Sequence, residues 1–218
     1  MQRYKLLKKL YLEKLIGACY FDDIKPTKPI NEIVSNLDSF EKLKQKVYSC
    51  HLCELSKSRK NIVFGEGNES AKLMFVGEAP GFYEDESGSP FVGRAGELLT
   101  KIINTVLELD RSEVYIANIV KCRPPNNATP TPEIANICKG YLFKQISLVN
   151  PKIIVALGST AYKYLTNDMQ TNISKIRGSV IDFDGIKLIP TYHPSFLLRN
   201  PSAKKDVFVD MKKVKAML

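Results

Sequence analysis

No stretch of this sequence stays apolar for the roughly eighteen residues that a bilayer span requires, so no membrane segment is expected. A secretory leader is missing as well: Arg3, Lys5, Lys8, Lys9 and Lys14 break up Met1 to Ala18, and a cytoplasmic protein is expected. Acidic residues are in short supply. Asp and Glu number 23 against 32 Lys and Arg, giving a formal charge of +9, and a surplus of that sign favours a polyanionic partner, nucleic acid first. Cysteine is scarce but present. Five thiols in a reducing compartment are poor disulfide candidates and better metal or catalytic candidates. There is no internal repeat, low-complexity tract or coiled-coil pattern, which leaves a monomer as the expectation.

What is there suffices for one well-packed core, with 218 residues of which 44% are hydrophobic. Residues 2–19 read as an amphipathic helix with Leu6, Leu7, Leu10, Leu15 and Ile16 on one side and Cys19 in its core face, and Pro26 and Pro29 interrupt the segment that follows. Residues 1–37 are therefore assigned to an arm and linker, and residues 38–218 to the domain proper. A helix from about Ser39 to Val47 leads into it. From Lys72 onward the pattern becomes short apolar runs, Leu73 to Val76, Val114 to Val120, Ile153 to Leu157 and Ile186 to Ile189, separated by segments of helical period. The expected fold is α/β: a three-layer αβα sandwich with a central, mainly parallel sheet. Ligands of such sheets bind beyond the carboxyl ends of the strands, where the loops after Val76, Val120 and Ile189 should converge.

Cys50 and Cys53 form a Cys-x-x-Cys pair, and Cys122 and Cys138 complete a set of four. Four thiolates can hold tetrahedral zinc or a [4Fe-4S] cluster, and ligand identity does not separate the two. Taken singly, Cys122 or Cys138 would be read as a small buried hydrophobe.

Four loop segments are unusual. Gly77-Glu78-Ala79-Pro80-Gly81 follows a strand and precedes Glu84; its glycines let backbone approach a ligand. Pro90-Phe91-Val92-Gly93 opens a helix, Asn118 ends a strand in Ala117-Asn118-Ile119-Val120-Lys121-Cys122-Arg123-Pro124, and His193-Pro194-Ser195 precedes Phe196-Leu197-Leu198-Arg199. Each alone has an ordinary explanation as a turn, a packing aromatic, a cap or a satisfied polar group.

In this order, threaded with the four cysteines, the segments closely resemble the family 4 uracil-DNA glycosylases, from about residue 40 to residue 217. The resemblance implies a [4Fe-4S] cluster on Cys50, Cys53, Cys122 and Cys138, at one side of the fold and mainly structural. It implies that Phe91 stacks on uracil in DNA, single- or double-stranded, that Asn118 pairs with its polar edge, and that His193 faces the ring oxygen next to the glycosidic nitrogen. Glu78 belongs to the loop that organises the attacking water. Leu197 matches the apolar wedge that fills the space left by the flipped base, and Ser195, Arg199, Lys121 and Arg123 are expected to touch the DNA backbone. The lysines from Lys204 to Lys215 are read as a solvated helix face.

Two positions depart from the best-known uracil-DNA glycosylases outside this family. Ala79 stands where those enzymes carry an Asp that positions water, and Gly81 stands where they set a Tyr against the thymine methyl. The work of that Asp then falls to Glu78, to the DNA phosphates or to substrate-driven dissociation, and exclusion of thymine to Glu84 or its neighbours. Three other readings remain open: a zinc-stapled, non-catalytic nucleic-acid-binding module, an electron-transfer protein using the same cluster, and a sister glycosylase acting on another deaminated base.

Overall fold

The computed structural model describes Val34 and residues 37–218; the expected helix at 2–19, the prolines after it and Cys19 lie outside the described residues. Helix α1, Phe40–Tyr48, is started by Ser39, whose hydroxyl accepts from the Lys42 amide, and it buries Leu43 and Val47. Val34, inside the segment assigned to the linker, is buried in the same cluster.

The sheet begins with a two-residue strand, β1, Glu66–Gly67, followed by β2, Leu73–Gly77. Helices α2, Phe82–Ser87, and α3, Arg94–Ile102, precede β3, Tyr115–Asn118, and α3 widens into a π turn over Ile103–Leu107. Helix α4, Pro132–Val149, leads to β4, Ile153–Leu157, which runs straight into α5, Gly158–Thr166. After a short α6, Ile173–Ile176, come β5, Ile181–Phe183, and β6, Ile186–Thr191, then α7, Pro194–Arg199, and α8, Lys204–Lys215.

The strand order is β1-β3-β2-β4-β6-β5, with β3, β2, β4 and β6 parallel and both edge strands antiparallel. Alternate residues feed opposite cores. Met74, Val76, Ala117, Ile154 and Leu188 face α1, α4 and α5, whereas Leu73, Phe75, Ile116, Val155 and Ile189 face α3, α7 and α8. This is the expected αβα sandwich, and burial on both faces explains why the strands read as unbroken apolar runs. The run Val114 to Val120 yields a shorter strand than expected. It ends at Asn118, after which Ile119 and Val120 bend toward the loop following β2 and donate to Gly77 and Glu78.

From β2 the chain moves outward to β3 with α3 on one face, then crosses back past β2 to β4 with α4 on the other. Right-handed crossovers in opposite directions put their helices on opposite faces, which opens a crevice at the carboxyl ends of β2 and β4. Among the described residues no helix is long and apolar enough to cross a membrane.

Candidate active site

A cavity of about 400 Å³ occupies that crevice. Glu78, Ala79 and Gly81 line it from the loop after β2, Asn118 from the end of β3, and His193 and Ser195 from the turn after β6. Phe91 forms part of the wall, with its ring centroid 5.7 Å from that of His193. The three loops expected to converge therefore do so. A fourth segment was missed by the sequence reading: Leu157, Gly158, Ser159 and Thr160 close the wall at the end of β4. Gly158 has φ of +89°, and a Cβ there would stand 3.0 Å from the His193 Cβ; the strand that runs without a loop into a glycine was the signal available.

Phe91 is held in the left-handed region, φ 52°, a conformation that costs a bulky residue about 1–3 kcal/mol and persists only where neighbours enforce it. They do. Glu84 accepts the amides of Val92 and Gly93 at 3.0 and 3.1 Å and that of Gly81 at 3.0 Å, and Arg111 donates to the Pro90 carbonyl at 2.5 Å. Glu84, expected to exclude thymine, lines the cavity and also braces these loops with both carboxylate oxygens. Glycine is required at two contacts: a Cβ on Gly96 would collide with the Phe91 carbonyl at 1.8 Å, and one on Gly77 would reach Asn118 Oδ1 at 2.4 Å and Phe91 Cζ at 2.6 Å.

Asn118 is buried, and its Oδ1 has no hydrogen-bond partner. An orphaned buried acceptor costs about 1–3 kcal/mol, so the cavity is built to receive a donor. His193 Nδ1 accepts the Ser195 amide at 3.1 Å and meets the Ser195 hydroxyl at 2.8 Å. A ring whose Nδ1 accepts carries its proton on Nε2, which becomes the donor. Burial first, and then the charge of Arg199, push the imidazole down to about 4, so it is neutral at physiological pH. Behind it, Thr191 donates to Asp210 at 2.7 Å, and Asp210 is paired with Arg177 at 2.6 Å, which ties the His193 turn to α8.

Two expectations for DNA contacts are corrected. Lys121 is 1% exposed and cannot reach a phosphate: its ammonium donates to the Asn118 carbonyl at 2.9 Å and to Gln145 Oε1 at 2.5 Å. Leu197 is 1% exposed, packed in the core under α7, whereas its neighbour Leu198 is 37% exposed. Arg199 is exposed and lines the cavity. Arg123 is partly exposed and is held to Asn127 Oδ1 at 2.7 Å.

Cys50, Cys53, Cys122 and Cys138 line one narrow void of about 10 Å³, although among the described residues no His, Cys, Asp or Glu group is arranged to hold a metal ion. The surroundings suit a sulfur-ligated group. Arg59 donates to Cys122 Sγ at 3.4 Å, the Lys121 amide donates to Cys138 Sγ at 3.3 Å, and the buried Tyr141 hydroxyl in the same wall has no partner. Burial raises the Cys53, Cys122 and Cys138 thiols, Cys138 to about 12.

A cavity walled by an aromatic ring, a carboxamide and a neutral imidazole takes a flat ring bearing hydrogen-bonding edges, and Arg199 in its lining suits a phosphate. That defines the class: proteins that hold a nucleobase outside the stack. Comparison with known proteins agrees, and the chain belongs to the uracil DNA glycosylase superfamily, whose family model matches residues 64–213. It is 47% identical to the type-4 uracil-DNA glycosylase of Thermotoga maritima over 82% of this chain and 94% of that protein. It is 46% identical to the type-4 enzyme of Sulfurisphaera tokodaii, covering 83% and 86% of the two chains. With that of Saccharolobus solfataricus the figures are 45% identity, 84% and 88%.

Proposed function

We infer that this chain is a uracil-DNA glycosylase of DNA repair, hydrolysing the bond between uracil and deoxyribose and leaving an abasic site. The observation that carries the reading is the unpartnered Asn118 Oδ1 in a cavity shared with Phe91 and His193.

Uracil in a duplex is inaccessible, and flipping it out costs a few kcal/mol. Stacking on Phe91 returns about 1–3 kcal/mol. Asn118 then offers an acceptor for the ring N–H and a donor for a carbonyl. Cytosine presents the opposite pattern, and the penalty of leaving buried groups unpaired rejects it. As the glycosidic bond breaks, its electron pair passes to uracil, and His193 Nε2–H donates to the developing oxyanion. Glu78 orients the water that attacks the sugar carbon and accepts its proton. Ala79 has no carboxylate for either task, which supports giving them to Glu78.

We further propose that Cys50, Cys53, Cys122 and Cys138 hold a [4Fe-4S] cluster, with Arg59, the Lys121 amide and the Tyr141 hydroxyl donating to its sulfurs. The cluster would staple α4 to the loop after α1 and take no part in the hydrolysis. A zinc-stapled binder or an electron carrier leaves the cavity without a purpose. The test is a panel of oligonucleotides, each with one deaminated base: uracil DNA should release free base with strong preference, and release from hypoxanthine DNA alone would overturn the reading.

A further inference from the structure

Phe82 and Tyr83 leave large aromatic surfaces in solvent, 48% and 63% exposed, at the start of α2 directly after cavity-lining Gly81. Core packing does not account for them, since the buried residue of α2 is Asp85. Their placement is nevertheless defined. The rings meet edge to face with centroids 5.5 Å apart, and Tyr83 lies against Gly93, where a Cβ would stand 3.0 Å from its Cδ2. From the loop after β3, Arg123 sits over the Phe82 ring at 5.0 Å, its Nε fixed on Asn127, which lines the cavity.

A uracil seated in the cavity remains joined to its neighbours through phosphodiesters, and the strand must leave through this mouth. Beside cavity-lining Gly81 and Asn127 stand the exposed rings of Phe82 and Tyr83 and the Arg123 guanidinium held on Asn127. Resting on the glycosylase reading, we propose that Phe82 and Tyr83 form a stacking platform for the base adjacent to uracil in single-stranded DNA, with Arg123 on the intervening phosphate. Stacking tolerates any sequence, because every base has a π face. A base in a single strand is free to turn onto the platform, whereas in a duplex the same neighbour is paired and stacked within the helix. The platform therefore acts on single strands.

The test is steady-state kinetics of the full chain on one uracil-bearing oligonucleotide, single-stranded and annealed to its complement. On the single strand, Phe82→Ala and Tyr83→Ala should raise KM by about 5- to 150-fold, the span of one lost base–aromatic stack, with kcat nearly constant. KM on the duplex should change far less. Tyr83→Trp should restore the wild-type value, and Tyr83→Leu, which keeps apolar bulk without a π face, should not. An unchanged single-strand KM, or an equal rise on both substrates, overturns the platform while leaving the glycosylase reading intact. Wild-type protein releasing no uracil from either substrate would instead sink that reading.

Discussion

The ammonium of Lys121 stands 2.9 Å from the backbone carbonyl of Asn118, its other acceptor being Gln145 Oε1. Gln145 in turn donates to the Phe64 carbonyl and to the Tyr115 hydroxyl, so α4 grips the end of β3 through a buried polar chain. The next residue along is Cys122, and the Lys121 amide donates to Cys138. One residue thus links the strand end that presents Asn118 to the cysteine site.

Replacing Lys121 with Met should destabilise the protein, because two buried acceptors lose their donor at about 1–3 kcal/mol each. Urea unfolding measures this loss, and kcat/KM on uracil DNA should fall with it as the Asn118 strand end loosens. The double variant with Gln145→Leu should cost less than the sum of the singles, since the two residues act on one network. Single variants with wild-type unfolding midpoints would show that the chain of bonds has no consequence.

Lys121 also marks where sequence reasoning ran out. A lysine beside Cys122-Arg123 reads as a phosphate contact, and its burial is decided by Gln145, twenty-four residues further on. The four parallel strands were legible because both faces of the sheet are covered, leaving no polar alternation to confuse them. The residues of the cavity were legible for a related reason: they sit in short loops at strand ends, and strand ends converge. Bracing groups drawn from elsewhere, Arg111 on Pro90 and Arg177 on Asp210, carry no such local mark. Strand β5 was missed because three residues are too few for a periodicity, although the Asp184-Gly185 turn that joins it to β6, with φ of 50° and 84°, has the expected sequence for a tight hairpin.

Gly77→Ala should abolish most activity while sparing the fold. An added methyl would overlap Asn118 Oδ1 and Phe91 Cζ, and both lie where displacement of about 1 Å can cost on the order of 100-fold. The backbone at Gly77 is extended strand that alanine adopts, so the cost to stability is the overpacking, about 1–3 kcal/mol. A protein that still folds, with a moderately lowered melting temperature and a hundredfold loss in kcat/KM, is the expected pair of results.

His193 should remain neutral well below the usual imidazole range. Its value in the fold is about 4 against 6.5 for the free side chain. Between those values the unfolded chain takes up the proton and the folded chain does not, so this group's contribution to stability is intact above about pH 6.5 and is lost as pH falls toward 4. The sequence holds two histidines, so imidazole NMR can follow His193 directly; an inflection near 6.5 would contradict the burial argument. His193→Ala should lower kcat by about 100- to 1,000-fold, the cost of one lost oxyanion donor.

The cysteine site gives a prediction with a chemical readout. Protein prepared without oxygen should contain iron and sulfide in equal amounts and no zinc, and Cys138→Ser should lose both. Because Cys138 on α4 would lose its link to Cys50 and Cys53 across the site, the emptied site should leave α4 less firmly docked, seen as faster amide exchange in residues 134–146. Zinc in place of iron would reject the cluster and leave the cavity chemistry standing.

Leu197 and Leu198 should separate cleanly, and the reason is geometric. Three apolar residues in a row, Phe196, Leu197 and Leu198, on a six-residue helix offer no periodicity to say which points outward. In the fold Leu197 turns inward to the cluster of Phe75, Val155 and Met211, and Leu198 faces solvent beside Arg199. Leu197→Ala should therefore cost about 2–5 kcal/mol of stability through the lost burial and the cavity left behind. Leu198→Ala should unfold at the wild-type urea concentration. If the exposed leucine enters the space a flipped base leaves, its truncation should slow uracil release from duplex DNA, where the base must be kept from returning, and leave release from single strands unchanged, because a single strand has no vacated stack to fill. Equal rates on both substrates would remove Leu198 from that role, and α7 would then carry only the cap that orients His193.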